Sequence, residues 1–522
     1  MRSIPAIEAR ALLHGGQEIA FLDVREAGQF VEGHPLFAIP LPYSILESRI
    51  GLLVPRLTCP ILLIDNGDGV AERVQARLSD MGYNNILRIK GGMPAWEASG
   101  FPVYKGVNVP SKTLGEMAEL IWHPKMITAD ELARAREQAD DLGFFDARPA
   151  AEYAKMRVPG AVCLPNGELA HRISAIGDKA RIVVTCAGRT RGITGVIGLM
   201  LAGFDGKVAA LENGTQGWAL SGRDLERNNQ PDPFPNLDTA GLAASRERAD
   251  ALIERFSLPV AECADVERML SAPDRTTYVF DVRSPDEAGA DPLAIAEHAA
   301  SGQLVQATDQ WVGVRNSRLV LCCDTGLRSA LAAFWLTQLG YDVHILRITD
   351  ALRQMAARPI VDAAPAGPIK PVSASDLLAM PDATVLDMRP STDFRAAHVK
   401  GAIWTTRPGL AKELARNGAG TIAILADTED RARRFARDAM DLGFADVVIV
   451  NGGHDALAKG GAELKVDSTS PEPAEAIDFP WFVHDRHDGN LESSRRYLAW
   501  ETGLVDQLDA AEKAAFRLFK TT

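Results

Sequence analysis

The sequence predicts an α/β chain of four repeated units, each a central, mainly parallel sheet flanked by helices, followed by a helical C-terminal tail. Three observations carry this. A D-x-R triplet ends an apolar run four times, at Asp23-Val24-Arg25, Asp146-Ala147-Arg148, Asp281-Val282-Arg283 and Asp387-Met388-Arg389. A second apolar run follows each aspartate by about 40 residues. Between and beyond these runs lie segments of helical periodicity. Strands alternating with helices imply a parallel sheet covered on both faces, with ligand sites at the C-terminal ends of the strands.

Within a unit the elements follow in a fixed order. The first strand is the run before the triplet, as in Ile19 to Leu22 or Thr384 to Leu386. The second is Ile61 to Ile64, Ile182 to Thr185, Leu319 to Cys322 and Ile422 to Leu425 in the successive copies. A short loop and an amphipathic helix come next, exemplified by Ser329 to Leu336, and then a glycine-aromatic turn at Gly82-Tyr83, Gly203-Phe204, Gly340-Tyr341 and Gly443-Phe444. The third run, as in Ile86 to Ile89 and Val447 to Val450, leads into a glycine-bearing turn and a helix in three copies. Copy three reads Ile348-Thr349-Asp350 there and leaves its closing helix unspecified.

The loop after the second run is written twice with a cysteine first and an arginine last, at Cys186 to Arg191 and Cys323 to Arg328. That arrangement aims backbone N–H groups, a helix N-terminus and a guanidinium at one sulfur, which favours an anion built on it. With 46% hydrophobic and 24% charged residues the chain reads as soluble and globular. No apolar run approaches the roughly 20 residues of a membrane span. No basic leader with an apolar stretch opens the sequence, so a cytoplasmic location is expected. Six scattered cysteines form neither a disulfide framework nor a CxxC knuckle. A net charge of −13 argues against a nucleic-acid partner.

The D-x-R triplet, the Cys-x4-Arg loop before a helix and the later Gly-Gly…Trp turn (Gly91 to Trp96, Gly214 to Trp218) together resemble the rhodanese-like sulfurtransferase family, as a tandem of four domains. The boundaries this gives are 1–106, 123–228, 258–362 and 370–466, with a linker and helical tail over 467–522. The resemblance implies a sulfurtransferase working through a cysteine persulfide. Cys186 and Cys323 are then the nucleophiles. Ala187, Gly188, Arg189, Thr190 and Arg191 form one substrate cradle, and Asp324, Thr325, Gly326, Leu327 and Arg328 the other. Arg189 and Arg191 should favour the Cys186 thiolate, whereas Asp324 opposes that of Cys323. Copies one and four are expected to be inactive and structural or regulatory, with Asp65 and Asp427 at the cysteine position, where the aspartate is expected to occupy the N–H cradle itself. Cys322 should face the other side of its strand. The four Asp–Arg pairs are read as structural braces, and no chemistry is assigned to His34 or His398.

Residues 219 to 262 read as a connector between halves. The tail from Leu491 to Phe519 carries Tyr497, Leu498, Trp500, Leu504, Leu508, Phe516 and Leu518, an apolar stripe suited to docking on a core or forming a homodimer. His484 and His487 lack a third ligand group, so no metal is expected, and the chemistry calls for no cofactor. The expected reaction takes sulfane sulfur from thiosulfate or a similar small anion to a thiol or cyanide acceptor. Neither loop has the Cys-Gly-Ser/Thr-Gly pattern associated with mercaptopyruvate. A phosphatase or arsenate reductase is the first alternative, disfavoured because phosphate-cleaving relatives have five residues between Cys and Arg. A non-catalytic or persulfide-relay scaffold is the second.

Overall fold

The computed structural model describes residues 2–138, 141–177, 179–362, 369–417, 420–484 and 490–520. Among the described residues four sheets of four to six strands follow one another along the chain, with two two-stranded sheets beside them. In the second unit the order is Met126–Ile127, Lys207–Leu211, Arg181–Thr185, Leu142–Asp146 and Val162–Cys163, all parallel. The first and fourth units repeat that order. The third keeps its centre, with Thr277–Asp281, Arg318–Cys323 and Asp342–Arg347 in parallel register. Its last strand leads only to a four-residue helix, Asp350–Arg353, which is where the sequence lost the glycine turn.

Strand register sets the starting point of every loop. Asp23, Asp146, Asp281 and Asp387 lie opposite Ile64, Thr185, Cys322 and Leu425. The next amide, on Val24, Ala147, Val282 or Met388, donates to that residue's carbonyl at 2.8–3.0 Å. Each triplet closes on itself as a buried pair: Arg25, Arg148, Arg283 and Arg389 hold their aspartates at 2.6–2.7 Å. The same guanidinium nitrogen donates to a carbonyl eight residues on, at Gly33, Met156, Asp291 and Ala397. These arginines therefore brace the strand end against the following turn.

The units are not beads on a string. One hydrophobic core runs through the first three and takes in Leu504, Leu508 and Phe516 of the tail. The strand Val314–Arg315 of the third unit adds antiparallel to Ile19–Asp23 of the first. The connector helix Thr239–Phe256 buries Ser245, Ala249 and Leu252 and packs on the third unit's helix Leu327–Gln338. The stripe expected to dock does so within its own chain, so the face assigned to a homodimer is already used. The fourth unit keeps separate cores. It joins the first through Arg407, whose buried guanidinium meets Glu47 at 2.7 and 2.9 Å and Asp438 at 2.8 Å. No described helix is long and apolar enough to cross a membrane.

Removing one partner of a buried ion pair leaves the other desolvated and uncompensated. Arg407→Ala is expected to lower stability by about 3–5 kcal/mol in denaturant unfolding and to speed proteolytic release of the fourth unit.

Candidate functional site

The position one residue beyond the partner of the triplet aspartate, at the end of the second strand, is held by Asp65, Cys186, Cys323 and Ala426 in the four units. This corrects the fourth assignment. Asp427 lies one residue further on and turns toward solvent, where Arg431 holds it at 2.6 Å. A loop one residue shorter to the helix at Glu429 hides this from spacing alone. The fourth unit still has no sulfur there.

The first unit displays what such a loop holds. Asp65 accepts from the amide of Gly67 at 2.8 Å and from that of Ala71 at 2.9 Å, with its carboxylate buried at the start of the helix Val70–Asp80. Those amides are two and six residues ahead. In the second unit the amides of Gly188 and Gly192, again two and six ahead, point at the Cys186 sulfur. The cradle is the same; a thiol replaces a carboxylate. Beneath it the third turn clamps the loop, with Thr215 N on the Cys186 carbonyl at 2.8 Å and Gln216 N on that of Ala187 at 3.2 Å. Gly214 sits at φ +54°, and a methyl there would fall 2.2 Å from the Cys186 carbonyl oxygen, so only glycine fits.

Cys186 opens onto a cavity of about 250 Å³ that all six loop residues line. Its other walls include Arg148, Glu152, Lys155 and Met156 of the same unit, and, from far away, Asn108 and Lys112 at the start of the helix Val109–Trp122, Gln303 and Gln306 of the third unit, and Tyr497 and Glu501 of the tail. Arg191 is locked on Glu152 at 2.6 and 2.7 Å. Arg189 is taken by Glu116 at 2.8 and 3.0 Å and by Glu119. Thr190 donates to Glu501 at 2.8 Å, while the second oxygen of that carboxylate is buried without a hydrogen-bond partner. Burial pushes the Cys186 thiol above its ordinary range; Arg191 and the two amides pull it down, and Glu501 adds to the rise. The expected thiolate preference is thus overturned in the empty site, because desolvation outweighs the guanidinium. Nothing in the composition of the loop marked Glu501. Its only trace was position, one helical turn after Tyr497 in the tail helix Leu491–Thr502.

Cys323 has a different setting. Gly326 donates to its sulfur at 3.2 Å and the Ser329 amide also faces it, yet the side chain is fully enclosed. Burial again raises the thiol, opposed by Arg328 and aided by Asp324. Arg328 is held through its two terminal nitrogens by Glu168 at 2.8 Å, Asp324 at 2.7 Å and Glu287. Ser245 of the connector helix bonds Thr325 at 3.0 Å and His171 at 2.8 Å, roofing the loop. Leu327 is buried in the shared core. Cys322 points to the opposite face, among Val279, Val320 and Leu346. His171, Glu287 and Asp324 converge within 4.8 Å, a spacing a metal could use. Burial disfavours the Glu287 charge, but Arg328 and Arg172 overcome this and hold its carboxyl at about 2. Those guanidinium groups already supply the positive charge of a cation. His487 lies outside the described residues.

The rhodanese-like domain profile matches residues 6–99, 128–221 and 371–459, more than half of the chain. The chain belongs to the rhodanese-like domain family. The stretches matched include the cradles of Asp65 and Cys186, whereas the third unit is unmatched and shares the strand order of its centre. The crystal structure of thiosulfate sulfurtransferase from Pseudomonas aeruginosa is 32% identical over the full length of both chains, with a TM-score of 0.91. Thiosulfate sulfurtransferases of Pseudomonas aeruginosa and Azotobacter vinelandii are 28% and 26% identical over 165 and 171 residues, 28% of this chain in each case. The match spans about 60% of the length of these curated relatives. The dual specificity phosphatase Cdc25 of Arabidopsis thaliana is 29% identical over 124 residues, 21% of this chain and 85% of its own.

Two outcomes follow from this rhodanese geometry. Asp65→Ala leaves two amides without an acceptor and is expected to cost about 1–3 kcal/mol in denaturant unfolding. Because the folded thiol ionises at higher pH than a free cysteine, alkylation of Cys186, mapped by mass spectrometry, should fall about tenfold per pH unit below that point and keep rising beyond pH 9.

Proposed function

We propose that the chain is a sulfurtransferase in which Cys186 alone carries the transferred sulfur. The observation that carries the reading is the pair of amides facing the Cys186 sulfur where the matching pair in the first unit binds a carboxylate. A cradle that holds a carboxylate in one copy suits a persulfide in the next. The activity named for the full-length structural relative supports thiosulfate as donor.

In the first half-reaction the Cys186 thiolate attacks the outer sulfur of thiosulfate. The bond to the sulfonate sulfur breaks, sulfite leaves with the electron pair, and Cys186 is left as a persulfide anion. The amides of Gly188 and Gly192, with Arg191, stabilise the charge as it moves outward. An acceptor then takes the terminal sulfur and returns the cysteine. The third unit is read as a degenerate copy of the same domain whose loop became a structural joint, since Arg328 has three carboxylate partners and Cys323 is enclosed. The first and fourth units serve as scaffold.

The phosphatase relative favours a second reading, cleavage of a phosphate ester at the same loop. Four residues between Cys186 and Arg191 make a cradle of two converging amides around one sulfur, which favours sulfur transfer.

With thiosulfate and cyanide, Cys186→Ala is expected to lower thiocyanate formation by about a thousandfold or more, while Cys323→Ala keeps turnover. Intact-mass and peptide mapping after thiosulfate should place one added sulfur on Cys186. Turnover unaffected by Cys186→Ala, or aryl phosphatase activity without thiocyanate, would overturn the reading.

A further inference from the structure

Glu501 is the one wall of the Cys186 cavity that no sulfur-donor chemistry explains. A site for thiosulfate gains nothing from an added carboxylate, yet the tail helix carries Glu501 into it and Thr190 orients it at 2.8 Å. The side chain is 2% exposed. Its free oxygen, Oε2, is buried with no hydrogen-bond partner and lies over Gly188, where a methyl group would come within 3.0 Å of it. An unpaired buried carboxylate oxygen costs energy that a structural clamp does not require. It is an unpartnered acceptor on a residue that lines the cavity beside Cys186.

We propose that Glu501 determines the acceptor, taking the proton from a neutral thiol as it attacks the Cys186 persulfide and disfavouring acceptors that arrive as anions. The inference rests on the reading of Cys186 as persulfide carrier. An incoming R–SH gives its proton to Glu501, and its sulfur forms a bond to the terminal sulfur of Cys186–S–S⁻. The Cys186–sulfur bond breaks, R–S–S⁻ leaves, and the proton passes from Glu501 to the Cys186 thiolate. Atoms and charge balance without an oxidant or reductant. The environment that raises the Cys186 thiol helps the last step, since the leaving sulfur then holds its proton. Cyanide and sulfite bring no proton for Glu501 to take, and its carboxylate offsets the attraction of Lys112 and Lys155, which line the same cavity, so Glu501 can only hinder them.

The test is a single-turnover discharge of the full chain, preloaded with thiosulfate and freed of excess donor, so that only folded, persulfidated molecules are read. At pH 7 Glu501→Gln should slow discharge to 2-mercaptoethanol by about a hundredfold and leave discharge to cyanide unchanged or about threefold faster. The deficit with the thiol should shrink as pH rises toward the ionisation of 2-mercaptoethanol itself. Glu501→Asp, which keeps the charge one methylene shorter, should retain the thiol preference in reduced form and stands in if the amide variant fails to fold. Equal effects on both acceptors, or an unchanged ratio in either variant, would overturn the role of Glu501 alone. Failure of the wild type to load sulfur on Cys186 would overturn the sulfurtransferase reading, and this inference with it.

Discussion

The buried Asp–Arg pair at the end of each first strand is the constraint on which everything downstream depends. It recurs four times with nearly identical lengths and adds the same carbonyl contact eight residues later. Burying such a pair is tolerable only when its remaining hydrogen bonds are met, and here both the following amide and the later turn meet them. The strand end is thereby fixed, and the neighbouring strand must release its loop from one place. Variation among the units reduces to which residue stands there: an acid, two thiols and an alanine.

Those occupants show how one backbone device serves different ends. Asp65 fills its cradle with its own side chain. Cys186 rests against the same amides beside an open cavity. Cys323 has comparable amides, but long-range partners have closed over it: Glu168 from the second unit, Ser245 from the connector and Glu287 from its own unit all converge on the loop. The two cysteine loops differ in access and in how many carboxylates hold the closing arginine, more than in loop sequence.

That division explains what could be read from the residues alone. The repeats, the parallel sheets, the braces and the loop were legible because each depends on local pattern: period, a triplet and a turn. The roles of Cys186 and Cys323 were not separable, since their loops look alike until residues 100 or more positions away are placed. The offset between Ala426 and Asp427 was hidden because spacing cannot detect a loop shortened by one residue, whereas ladder register can. Glu501 was invisible for the same reason as the roof of Cys323. Its partner Thr190 is 311 residues distant, and an acid on an amphipathic helix ordinarily faces water.

The cavity beside Cys186 draws its walls from the linker before the second unit, from the third unit and from the tail. A ribosome must therefore pass Glu501 before the thiol meets its last neighbour. Products truncated ahead of that residue carry the cysteine without its full chamber, so the fold couples the surroundings of the loop to synthesis of the tail.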